Sequence, residues 1–149
     1  MQNQNSTVEA QYRTMMILWA ALLFSQFLFL VVLFFAKPEV FDFDFSKPFY
    51  AGNFVIVNSF TTLAIFLTVA SFTLSKLFKR RAISEQKPEL MQTALIIGCA
   101  LCEAVSLLGL VLAFAFNYQY FFLWIAFGIF GTIMHFPKRD NLIAASYKR

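Results

Sequence analysis

The sequence predicts an all-α fold: a polytopic membrane protein whose four transmembrane helices form an antiparallel bundle, with both termini cytoplasmic. Three observations carry this expectation. Of 149 residues, 60% are hydrophobic and 13% charged, and 21 are Phe; a soluble domain carries about 25% charged residues, so half the usual polar surface is missing. Apolar stretches of bilayer-crossing length recur along the chain, and basic residues gather on one side of them. Such a chain lacks the parts of hydrolytic and phosphoryl-transfer enzymes: it contains no nucleophile with a base, no Gly-rich phosphate loop and no paired carboxylates.

The elements follow from the spacing of charge. A bilayer core of about 30 Å needs about 20 helical residues. Residues 15–36 supply 22 uncharged positions, 48–75 supply 28, 90–116 supply 27 with one charge, and 120–136 supply 17 with none. Helices are therefore expected at about 14–36, 52–76, 91–116 and 119–136, in a single integral domain over 1–149. The first is too long for a signal-peptide core and has no small-x-small cleavage site before Lys37, so it is expected to be retained. Only Asn117, Tyr118, Gln119 and Tyr120 join the last two, which demands a tight hairpin with tyrosines at headgroup depth. One helix over 90–136 would be about 70 Å long, more than twice the bilayer core. Pro137 is expected to stop the fourth helix. At an offset of 79 residues the first and third helices agree at nine positions, from Thr14 and Thr93 to Ala36 and Ala115. Shared apolar composition produces such matches as readily as a duplicated hairpin.

Orientation follows from the basic residues. Arg13, Lys76, Lys79, Arg80, Arg81, Lys87, Lys138, Arg139, Lys148 and Arg149 fall on one side, and only Lys37 and Lys47 on the other. Ten against two leads to the expectation that both termini are cytoplasmic, and the chain as a whole reads as a multi-pass protein of the inner-membrane type. The net charge of +4 is thus split over membrane-flanking loops, so no nucleic-acid partner is expected. Attraction of Lys76 to Arg81 toward anionic lipid is expected instead. In the outer loop, Phe41, Phe43 and Phe45 alternate with Asp42 and Asp44, which reads as interfacial anchoring.

Polar residues within the spans are where chemistry can reside. Glu103 is the only formally charged residue inside any span, halfway along the third helix, and it is the candidate proton-binding group. Cys99 and Ser106 share its side of the helix, and Gln26, beside Ser25 on the first helix, lies at similar depth and can offer its amide. With no Lys, Arg or His at that depth, the acid is expected to be neutral at pH 7, which suits a proton carrier and an inert buried acid equally. Gly98, Cys102, Ser106, Gly109 and Ala113 form a small-residue stripe expected to admit another helix closely, whereas Leu112, off that stripe, is expected to tolerate Phe. On the second helix Asn58, Thr61, Ala64, Thr68, Ser71 and Ser75 share a face that reads as interhelical glue. His135, the sole histidine, ends the fourth helix, where a cap or lipid contact is expected and proton entry is the lesser reading.

The stretch from Ala100 to Phe114, Ala-Leu-Cys-Glu-Ala-Val-Ser-Leu-Leu-Gly-Leu-Val-Leu-Ala-Phe, resembles the carboxylate-bearing helix of the c subunit of rotary ATP synthases. The preceding loop, from Lys79-Arg80-Arg81 to Pro88-Glu89-Leu90, is similar to that family's polar cytoplasmic loop, so the resemblance spans residues 79–114. It implies that Glu103 binds and releases a translocated proton, and Ala104, where sodium-binding relatives carry a hydroxyl, favours proton over sodium. The preceding helix departs from the family: residues 54–75 contain no glycine where the family has closely spaced ones.

Cys99 and Cys102 form a C-x-x-C, which opens the remote alternative of a membrane dithiol oxidoreductase. Such enzymes need an exposed low-pKa thiol and usually a second cysteine pair, and this chain has two Cys in all. Two thiols and one acid on a single helix do not make a metal site. The sequence thus reads as a non-enzymatic membrane protein without cofactor or soluble substrate. Its partners are the lipid bilayer and either copies of itself or other membrane subunits. Glu103 is either a proton-binding carboxylate or only a hydrogen-bonder between helices.

Overall fold

The computed structural model describes residues 2–42, 44 and 54–146, with side chains from Thr7 onward. Among these residues there is no strand. Five α-helices follow one another: α1 Gln2–Ala36, α2 Phe54–Ser84, α3 Glu89–Phe116, α4 Phe122–Met134 and α5 Arg139–Ser146. Short 3₁₀ turns, Pro38–Phe41 and Gln119–Phe121, precede α2 and α4. Phe43, Phe45, Lys47, Pro48 and the expected helix start at 52 lie outside the described residues.

Two helices run past their apolar stretches. α1, expected from 14, begins at Gln2, and α2, expected to end at 76, continues to Ser84. With 35 residues α1 is about 52 Å long, well beyond a bilayer core. Residues 2–13 contain neither Gly nor Pro, so nothing interrupts the helix, and Val8 and Tyr12 join Met15 in an apolar cluster with Ala82, Met91, Leu95, Leu142 and Ala145. Hydropathy marks where a helix meets lipid; it does not mark where hydrogen bonding stops.

The fourth span differs more. Instead of one helix over 119–136, the chain forms the 3₁₀ turn, the 13-residue α4 and, after a break at His135 to Lys138, α5. α4 alone is about 20 Å long. Three helical segments, Thr7–Ala36, Phe54–Ser84 and Glu89–Phe116, are long and apolar enough to cross a membrane. The pair Gln119–Met134 and Arg139–Ser146, bent by 49°, makes a fourth if counted as one span. The physical cause is Pro137, which cannot continue the hydrogen-bond ladder, together with the polar Lys138, Arg139 and Asp140 that follow it.

The breaks between α2, α3 and α4 rest on left-handed residues. Asn117, at φ 48°, ends α3, and Tyr118 N–H donates back to the Leu112 carbonyl at 3.1 Å. Gln86, at φ 54°, does the same after α2, with Lys87 N–H reaching the Ala82 carbonyl at 3.0 Å. The Lys87 bond closes six residues and the Tyr118 bond seven, and both satisfy helix-end carbonyls. The Lys37 ammonium donates to the Phe114 carbonyl at 2.7 Å and the Ala113 carbonyl at 3.3 Å, a cation at the negative end of the α3 dipole. At the α2–α3 turn, Lys87 lies 2.9 Å from Glu85 and holds that carboxyl below the usual carboxylate range. Exposed to solvent, the pair adds little stability.

α3 is the centre of the structure and packs against α1, α2 and α4. Toward it α2 presents Val57, Ala64, Ser71, Ser75 and Ala82, all buried. Their spacing of seven, seven, four and seven residues is a coiled-coil seam built from small side chains, which is how helices approach closely where lipid supplies no hydrophobic drive. Phe24, Phe35, Phe66 and Phe130 point away from the helix contacts and are exposed, as suits acyl chains.

Candidate functional site

Between the apolar clusters at the two ends of the helices lies a layer of buried polar side chains drawn from four helices. Gln26 of α1, Ser71 of α2, Ser106 of α3, and Thr132 and His135 at the end of α4 are all buried, beside the buried Cys102. The Gln26 amide nitrogen donates to Thr132 Oγ1 at 2.6 Å, and its carbonyl oxygen accepts from Ser106 Oγ at 2.8 Å. Trp19 Nε1 donates to the Thr132 carbonyl at 2.8 Å. Ser71 Oγ lies 3.0 Å from His135 Nε2 and 3.3 Å from Cys102 Sγ. Each group is satisfied by a side chain or carbonyl on a different helix, so the layer fixes the register of the helices.

The layer forms because glycines let α3 and α4 come together. A Cβ on Gly128 would strike Ser106 Oγ and lie 2.6 Å from the Cys102 carbonyl oxygen; one on Gly98 would run into the His135 ring. At Gly109 it would lie 2.8 Å from the Phe121 carbonyl oxygen and 2.9 Å from Trp124 Cβ. The stripe Gly98, Cys102, Ser106, Gly109 and Ala113 is buried throughout. Leu112 is fully buried too, with Val57, Val105 and Trp124 around it, so it leaves no room for Phe. The helix carries a buried face wider than the stripe.

Glu103 lies at the rim of this layer. It is half-buried, next to the outward residues Ala100 and Leu107 one turn either side, and Ser25 Oγ donates to its Oε1 at 2.6 Å. Gln26 is not its partner, because the Gln26 amide is engaged by Ser106 and Thr132. Cys99 and Ser106, expected to share its face, are buried inside the layer or the adjacent apolar cluster. On α2, Asn58 is exposed, and the Thr61 and Thr68 hydroxyls bond back to the Val57 and Ala64 carbonyls of their own helix at 2.7 and 2.8 Å. Of that face, Ser71 reaches another helix.

His135 caps the C-terminus of α4, as expected, its N–H donating to the Thr132 carbonyl at 3.1 Å, but its ring is no lipid contact: it is 2% exposed, held by Ser71 and stacked edge-on against Phe72 at 4.7 Å. Thr132 escaped sequence reading altogether. The available signal was the spacing of Gly128, Gly131, Thr132 and His135, which puts small and polar residues on one side of α4. Both cysteines are buried and unpaired, which denies a partner disulfide the access that dithiol exchange needs. Among the described residues no three His, Cys, Asp or Glu side chains gather as metal ligands.

Fold and site together define an all-helical protein with three to four helices fit to cross a membrane, built around a closed polar layer with one carboxyl at its edge. Comparison with protein families, with curated proteins and with solved structures finds no match for this chain.

Proposed function

We propose that this chain is a small multi-pass protein of an inner membrane and a subunit of a membrane complex, whose Glu103 carboxyl binds and releases protons. In this reading four spans form an antiparallel bundle with both termini cytoplasmic. The observation that carries it is Glu103 itself. The polar side chains of the interior layer meet partners from other helices, whereas this carboxyl is half-buried at the rim and receives a single hydrogen bond, from Ser25. An acid at the middle of a span costs several kcal/mol unless a partner or a water path receives it, and an acid at an outward rim is met by another membrane subunit or a second copy. The likeness of residues 79–114 to a c-subunit carboxylate helix supports a proton as the species handled. A competing role, in which Glu103 only ties α3 to α1, is favoured by the short Ser25 bond.

Substitution separates the two. In the proton-binding reading, Glu103→Gln keeps the fold, because the amide preserves volume and still accepts from Ser25, yet abolishes proton-coupled activity of the native membrane complex. In the structural reading Glu103→Gln is silent and Glu103→Leu costs about 1–3 kcal/mol. An active Glu103→Gln complex refutes proton handling. Topology is checked independently: single cysteines at Gln4 and Ser146 should be labelled only from the cytoplasmic face and one at Ser46 only from the opposite face. Labelling of Ser46 from the cytoplasm would refute the proposed arrangement.

A further inference from the structure

The outer face of α2 carries a groove of about 500 Å³ lined by Phe72, Thr73, Lys76, Leu77 and Arg80. Its composition is graded along the helix. Phe72 is an exposed apolar side chain within the apolar stretch, Lys76 and Arg80, one turn apart, are exposed cations where that stretch gives out, and the exposed Leu77 lies between them. Residues four apart on a helix lie about 6 Å from each other, so both cations can contact one phosphodiester.

Positive charge here exceeds what the chain itself neutralises. The ion pairs of this end, Glu85 with Lys87 and Glu9 with Arg139, involve neither Lys76 nor Arg80. Among the described residues neither lies within ion-pair distance of a carboxylate. Lys79, half-buried on the same turn, and Lys138 stand close enough to repel each other. The Thr73 hydroxyl is spent on the Val69 carbonyl at 2.7 Å, so the two cations are the groove's free donors.

We infer that this groove is a binding site for one anionic glycerophospholipid, its phosphodiester held between Lys76 and Arg80 and an acyl chain laid along Leu77 and Phe72. An apolar floor ending in two unneutralised cations complements such a molecule and does not complement a zwitterionic lipid, whose ammonium these cations repel. The site is independent of Glu103's role; topology decides only which leaflet supplies the lipid.

The test is native mass spectrometry of the full chain in detergent, titrated with phosphatidylglycerol or phosphatidylcholine. The expected result is a saturable one-to-one phosphatidylglycerol adduct that inorganic phosphate at equal concentration does not displace. A juxtamembrane cation contributes about fivefold in affinity, so Lys76→Gln with Arg80→Gln should weaken the adduct about 25-fold. The control pair Lys87→Gln with Arg139→Gln removes the same formal charge from cations already paired and should change it less than about twofold. Thermal melting in phosphatidylcholine nanodiscs verifies folding. If the double variant melts early, the two single variants carry the test, each about fivefold weaker. Equal losses in the two pairs, equal binding of phosphatidylcholine, or displacement by inorganic phosphate would overturn the site.

Discussion

Gly128→Ala is expected to be among the most damaging single methyl additions in this chain, lowering stability by about 1–3 kcal/mol or more. The new Cβ would meet the Ser106 hydroxyl, lie 2.6 Å from the Cys102 carbonyl oxygen and stand 3.1 Å from Gln26 Oε1. A long flexible side chain can yield to such a collision, but the Cys102 carbonyl is helix backbone, so relief requires α3 and α4 to separate. Separation stretches the Ser106 to Gln26 and Gln26 to Thr132 hydrogen bonds, whose lengths are 2.8 and 2.6 Å. The cost of the added methyl should therefore appear together with loss of the polar layer. The measurement is thermal or denaturant unfolding in a single detergent, with Ala126→Gly, at an exposed position of the same helix, as the comparison. That substitution costs about 1 kcal/mol through helix propensity alone. If Gly128→Ala unfolds at the wild-type midpoint, the close contact of α3 and α4 is not present in the protein.

Gln26→Leu is expected to cost about 2 kcal/mol or more, although it replaces an amide by a better membrane residue of similar size. Gln26 is fully buried and joins α3 to α4 through Ser106 and Thr132. The substitution leaves two hydroxyls without these partners in a layer that water does not reach, and an orphaned buried polar group costs about 1–3 kcal/mol. Measured interhelical bonds in membranes are weaker, about 0.6 kcal/mol on average, because the alternative state also finds partners; burial on all sides puts this bridge at the upper end. A double-mutant cycle isolates the bridge. Ser106→Ala in the Gln26→Leu background should cost less than in the wild type by about 1 kcal/mol, since the hydroxyl has already lost its nearer acceptor and keeps only the Ile125 carbonyl at 3.4 Å. Additive costs would mean that the two side chains do not interact.

The residues differ in how much of their role composition reveals. For Glu103 the signal was direct: a lone carboxylate in an apolar run is visible against its neighbours, and the structure puts it in mid-α3 with a hydroxyl beside it. Which partner it meets was not visible, because Ser25 and Gln26 are adjacent and point about 100° apart on α1, so depth alone cannot choose between the hydroxyl and the amide. For His135 the helix end was legible and the burial of its ring was not. Its position beside Pro137 reads as a helix end, and helix ends are usually wet, yet here α4 is short and its end is folded under α2, which buries the ring against Ser71 and Phe72. The α2 hydroxyls share a face, but the Thr61 and Thr68 hydroxyls spend themselves on their own backbone and leave Ser71 to reach across. Leu112 looked peripheral to the small-residue stripe and is central, because α3 is packed by three helices at once and its buried face is correspondingly wide.

By itself the sequence determined the helical class, the approximate spans of the first three helices, the break at Asn117 to Tyr120 and the presence of one membrane-depth carboxyl. These follow from transfer free energy and chain stiffness, which act on each segment without reference to the others: about 20 apolar residues prefer lipid, and a backbone in lipid must satisfy its own hydrogen bonds. Only the tertiary structure decided which polar atoms meet, where α4 stops and how α5 turns away by 49°, and that the interior is a closed polar layer with Glu103 outside it. Those depend on helix rotation and on distances of a few ångströms between α1, α3 and α4. The glycines at positions 98, 109 and 128 set these distances by what they lack, and a missing side chain leaves no mark on hydropathy.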